Sequence, residues 1–163
     1  MKKILLFISC ILFINGCTLS NTPTTITEDY LSKYQRMDDN ITISYNEILD
    51  NNTNNKYKEE YKDLVIKQYK NLSYEIKDEE IDGRHATITV QIKVYDYKEI
   101  IDKYDKDNYE DESDYYKLIS DRLNEQKDKI VYTIDIELNM NNNDTWEVIE
   151  IDRDTKQKLL GIY

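Results

Sequence analysis

The sequence predicts an α+β domain in which a curved antiparallel sheet of two hairpins packs on N-terminal helices. Three observations predict it. Apolar residues recur at helical spacing from Ile26 to Leu64, strict alternation takes over at Leu72, and the same switch recurs before Ile130. Runs of helices and hairpins kept apart in this order, with no Gly-rich parallel crossover, belong to α+β architecture.

Thr22-Pro23 opens the first helix, because Pro is pre-organised for the first helical position and Thr can cap it; Thr25 with Glu28 offers an alternative capping box. Ile26, Tyr30, Leu31, Tyr34 and Met37 form its apolar face, and a shorter amphipathic piece follows around Ile41 to Leu49. The Asn-rich run from Asp50 to Asn55 breaks it with turn-forming residues. A longer helix begins near Lys56 with the face Tyr57, Tyr61, Leu64, Val65 and Leu72, and with Asp63 and Lys67 one turn apart on the opposite side. Leu72, Tyr74 and Ile76 then alternate with polar residues, and Asp82-Gly83 turns the chain into the alternating run Ala86 to Val94. A three-residue loop, Ile81-Asp82-Gly83, would pair Glu80 with Arg84 and Tyr74 with Val90, matching apolar with apolar.

Asp96 with Glu99 can cap a short helix carrying Tyr97, Ile100, Ile101 and Tyr104. Asp105 to Asp114 is a charged connection, and another helix covers about 113–128. Ile130, Tyr132, Ile134, Ile136, Leu138 and Met140 alternate, Asn141 to Asp144 turns, and Trp146 and Val148 return on the buried face. Asp154 opens a last short helix that Gly161 closes in the left-handed conformation, with Ile162 folding back.

Ahead of this domain, Met-Lys-Lys is followed by an apolar run, Ile4 to Ile14, too short for the about 20 residues that a spanning helix needs. The run closes on Ile14-Asn15-Gly16-Cys17, which resembles the lipobox of bacterial lipoproteins, with Asn15 more polar than is usual there. The resemblance implies a signal peptide over residues 1–16, cleavage between Gly16 and Cys17, and a diacylglyceryl thioether on Cys17. The membrane is then the partner of a short lipidated tether, residues 17–22, and the domain spans 23–163. A secreted protein with a free thiol is the alternative.

Charge and composition narrow the function. The 163-residue chain has net charge −11, and removing residues 1–16 takes away Lys2 and Lys3 and moves it to −13. Such a body does not neutralise phosphates, so no nucleic-acid partner is expected. The one histidine, His85, falls on the polar side of a strand with Asp82 its only close acid, too little for a Ser-His-Asp arrangement. Gly83 and Gly161 are the only glycines beyond the leader, which excludes phosphate-cradling loops. The acids between Asp102 and Asp114 lack the glycine and ligand spacing of an EF-hand, so no metal and no cofactor is assigned. The chain has 15 Tyr, and its two Phe both lie in the leader. Tyr suits half-exposed positions and surfaces that bind peptides or sugars. Tyr74, Tyr132 and Trp146, on inward sheet positions, are either core or the lining of a ligand site.

The stretch from Tyr57 to Tyr97, YKEEYKDLVIKQYKNLSYEIKDEEIDGRHATITVQIKVYDY, with the Trp146 hairpin and the ending TKQKLLGIY, resembles small lipoproteins of low-GC Gram-positive bacteria that have a cystatin-like or nuclear-transport-factor-2-like fold. The resemblance implies a sheet curved around a long helix, forming a cone whose mouth can hold a ligand, and it transfers no catalytic residue. The expected function is a non-catalytic, lipid-anchored module at the extracytoplasmic membrane face, binding a peptide, protein or cell-wall fragment. A small-molecule enzyme on the same cone and an inhibitor or immunity lipoprotein are the alternatives.

Overall fold

The computed structural model describes residues 21–41, 55–104 and 108–163, with residues 55–60 and 112 by backbone alone. The leader, Cys17, the amphipathic piece beyond Ile41, the Asn-rich break at 50–54 and residues 105–107 of the charged connection lie outside them. In chain order the elements are α1 (Pro23–Arg36), α2 (Asn55–Lys70), β1 (Ser73–Asp82), β2 (His85–Tyr95), α3 (Tyr97–Lys103), α4 (Glu112–Glu125), β3 (Lys129–Met140), β4 (Trp146–Val148) and α5 (Arg153–Leu160). The four strands make one antiparallel sheet in the order β1-β2-β3-β4, so two hairpins are joined edge to edge through β2 and β3. The α+β class and the paired hairpins agree with the sequence pattern.

Alternation explains why only one face is covered. Ala86, Ile88, Val90, Ile92 and Val94 of β2 and Ile134, Ile136 and Leu138 of β3 are buried together with Trp146 against α1, α2 and α5. Full burial of each such side chain contributes roughly 1.5–3 kcal/mol. The opposite face presents Thr87, Thr89, Gln91, Lys93, Thr133, Asp135 and Glu137, polar residues that are half-buried or exposed.

The first hairpin corrects the expected turn. Asp82 pairs with His85, leaving a two-residue loop, Gly83-Arg84, with positive φ (61°) at Gly83 alone. A positive φ confined to the first central position is what a type II′ turn requires. Continued inward, that loop would set Tyr74 opposite Lys93. A bulge at Lys77 steps the register by one residue, so that Ile76 meets Val90 and Tyr74 meets Ile92. The matching of apolar to apolar was the correct constraint, and the bulge satisfies it where the sequence reading used a longer loop.

Helix ends follow from their caps. Thr22 caps α1 in a reciprocal box with Thr25, and Asp96 caps α3 by accepting from the Glu99 N–H at 3.0 Å. The cap of α5 is Asp152, not Asp154, which lies in the first turn. Helix α4 ends at Glu125, short of the expected 128, because the Gln126 side chain folds back to accept from the Lys127 and Asp128 N–H groups. Lys67 does not face Asp63 across solvent. Its ammonium donates to the Asn124 carbonyl at 2.6 Å, at the negative end of α4, where desolvation lowers its pKa.

Asp152 also supplies a pH prediction. Hydrogen bonds from Thr155, the backbone N–H first, hold its carboxyl below the usual range. The stabilisation it contributes is therefore present above about pH 4 and fades as the pH falls below that value. Asp152→Ala is expected to lower stability by about 1 kcal/mol at pH 7. Urea midpoints of variant and parent should converge in acid.

Candidate functional site

Where β2 ends, the chain needs a partner for backbone groups that the sheet no longer satisfies. Strand β1 begins only at Ser73, opposite Lys93, so Tyr95 faces no strand on that side. The buried side chain of Gln68 replaces the missing strand. Its Oε1 accepts from the Tyr95 N–H at 2.8 Å, and its Nε2 donates to the Tyr95 carbonyl at 2.8 Å and to the Leu160 carbonyl at 2.7 Å. Gly161, left-handed at φ 70°, closes α5 against this amide, and its carbonyl accepts from the Lys98 N–H at 2.8 Å. The junction thereby ties α2, β2, α3 and α5 together.

Beside it lies an apolar cavity of about 110 Å³. Tyr61, Leu64 and Val65 come from one face of α2, Tyr97 and Ile101 from successive turns of α3, Leu123 from α4, and Leu160 and Ile162 from the end of α5. Tyr97 is buried, its hydroxyl reaches the Leu64 carbonyl at 3.4 Å, and burial pushes its phenol well above the ordinary range. It therefore stays a neutral donor at any physiological pH. The lining contains no carboxylate, imidazole, thiol or ammonium. A small branched aliphatic group is what such walls accommodate, since about 110 Å³ falls short of the roughly 150 Å³ apolar cavity that takes benzene.

A second cleft of about 150 Å³ opens where the chain leaves β3 after β4, and it gathers Asp135, Glu137, Glu150 and Asp152. Three of these four acids are already engaged: Asp135 accepts from Thr89 at 2.8 Å, Glu150 pairs with Lys156 at 3.0 Å, and Asp152 caps α5. Among the described residues no group of three His, Cys, Asp or Glu is placed to hold a metal ion.

Comparison with protein-family models, with curated proteins and with solved structures finds no match. What the chain can bind must therefore be read from its own geometry.

The three aromatic residues singled out from the sequence do not converge on one site. Tyr74 and Tyr132 both lie level with Ile92, their pairing partner, on the inner face, and are half-buried against the main core. Tyr74 donates to the Glu28 carbonyl at 3.4 Å and Tyr132 to the Tyr163 carbonyl at 3.2 Å, and burial raises the pKa of both. Trp146 is buried opposite Met140, near the other end of β3, and belongs to the main core. None of the three lines the apolar cavity. His85 is exposed on the polar face, where its Nδ1 contacts the Asn139 side-chain oxygen. Most described tyrosines are half-buried as expected, but Tyr34, Tyr69 and Tyr97 are core.

Gln68 and the cavity were missed by the sequence reading. One signal was present: Gln68 continues the apolar stripe Tyr61, Leu64, Val65, and a polar residue at a core position calls for a buried partner.

Proposed function

We propose that this protein is a lipid-anchored, extracytoplasmic binding module without catalytic activity, built on a cystatin-like or nuclear-transport-factor-2-like cone. The observation that carries the anchor is the tetrapeptide Ile14-Asn15-Gly16-Cys17 closing a short apolar run. Two acyl chains hold a protein stably where one is marginal, each buried methylene adding about 0.8 kcal/mol. No described helix is long and apolar enough to cross a membrane. The cone reading draws support from the long helix α2 lying on one face of the sheet, with a cavity at one end. The apolar lining favours binding over acid–base chemistry, because general catalysis needs a titratable group within hydrogen-bond reach of its substrate.

The test expresses the full chain in a Gram-positive host with an alkyne-tagged fatty acid. Wild-type protein is expected to carry the tag and to sediment with membranes. Cys17→Ala should lose both. A wild-type chain without tag, released to the medium, would overturn the anchor. Binding at the cavity predicts that a partner captured from cell envelopes by wild type is lost with Ile101→Asp.

A further inference from the structure

We infer that the anchored protein stands with both hairpin turns toward the bilayer and the apolar cavity at its distal end, so that the cavity is offered to the extracellular side. The inference rests on the lipid anchor at Cys17 and adds to it an orientation and a membrane-facing surface.

The first described residue decides where the tether leaves the domain. The Asn21 amide donates to the Asp144 carbonyl at 2.8 Å and accepts from the Trp146 N–H at 3.2 Å, fastening the chain to the β3–β4 turn. Three residues on, Thr24 donates through its N–H (3.1 Å) and its hydroxyl to Glu79, near the tip of the first hairpin. Arg84 then clasps the two turns together: its guanidinium donates to the Met140 and Asn141 carbonyls and pairs with the Asp144 carboxylate at 3.3 Å. The start of the domain and both turns therefore occupy one end of the sheet.

Lengths set the geometry. Four residue steps lead from Cys17 to Asn21, a maximum reach of about 14 Å. Strand β2 runs from His85, beside the turns, to Tyr95, beside the cavity, ten steps that span about 33 Å. The turns are held within a tether length of the headgroups, and the cavity lies beyond that reach when the strands stand upright.

Charge keeps them upright. Tilting onto the β1 edge would bring Glu75, Asp78 and Glu80 to the bilayer with Lys77 the one cation of that strand, and tilting onto the open sheet face would bring Asp135 and Glu137 with Lys93. On an anionic bilayer both are repelled within a Debye length of about 8–10 Å. The turn end offers Gly83, Asn142, Asn143 and Thr145, with two acids, Asp82 and Asp144, and the Arg84 cation paired to Asp144. It carries less net negative charge than the β1 edge.

The experiment uses the full lipidated chain in phosphatidylglycerol-containing vesicles. Cys10 leaves with the leader and Cys17 is acylated, so a single added cysteine can be labelled selectively. Asn142→Cys at the turn end and Asp102→Cys on α3 are both at exposed positions outside the core. Each is labelled with a donor fluorophore, and acceptors are placed in the headgroups. The donor at 142 is expected to be quenched about twofold or more than the donor at 102, given the strand length between them. Equal quenching, or stronger quenching at 102, would overturn the orientation while leaving the anchor intact. Failure of the processed chain to float with vesicles would overturn the anchor and the orientation with it.

Discussion

Gly161→Ala is expected to destabilise the domain by about 2–5 kcal/mol, combining the left-handed backbone penalty of about 1–2 with an overpacking cost of about 1–3. The residue sits at φ 70°, and a Cβ there would come within 2.0 Å of the Tyr95 carbonyl oxygen and 2.5 Å of the Gln68 amide nitrogen. The backbone oxygen cannot move away without breaking the end of β2. Gly83 is the internal control, since it has φ 61° with nothing within 4 Å of the added carbon. Gly83→Ala should therefore cost only the backbone term. Denaturant midpoints of the two variants separate conformation from close approach, and equal losses would show that the junction yields.

Gln68→Leu should cost about 3 kcal/mol or more, because it keeps the volume but strips partners from the Tyr95 N–H and from the Tyr95 and Leu160 carbonyls, at about 1–3 kcal/mol for each group left buried. Gln68→Glu makes the same point through pH. A carboxylate oxygen would replace the donor nitrogen facing two carbonyls, which disfavours ionisation and raises the folded-state pKa above the unfolded value near 4.3. Folding then binds a proton, so this variant is most stable in acid and loses stability as the pH rises through the raised pKa. That is opposite in sign to Asp152, whose contribution is lost in acid. A Gln68→Glu chain with a deficit independent of pH would mean that the amide is not clasped as described.

Much of this fold was legible because it is written over short distances in the chain. Alternation at Ala86 to Val94 and Ile130 to Met140 marks the two central strands, Thr22-Pro23 and Asp96 mark helix starts, and the glycine at 161 marks a left-handed stop. Each is a relation among residues one to four apart, set by backbone geometry and local hydrogen bonding. The anchor at Cys17 is of the same kind, a local pattern, and it stays a proposal that the fatty-acid experiment tests.

Other features depend on which distant segments meet. The Lys77 bulge exists because a two-residue turn and an apolar inner face demand different registers, and only the paired strand can settle that conflict. Lys67 turns from Asp63 to the end of α4 because a helix terminus 57 residues away leaves carbonyls that need a cation. Gln68 joins partners 27 and 92 residues distant, and the cavity beside it has walls from four helices and the C-terminal tail.

The sequence by itself determined the periods, the caps of α1 and α3 and the class of fold, since those follow from each residue's nearest neighbours along the chain. Only the tertiary structure decided the register of the first hairpin, the clasp at Gln68 and Gly161, and the cavity next to it. Those arise where buried polar groups and apolar surfaces from remote segments must satisfy one another in one place.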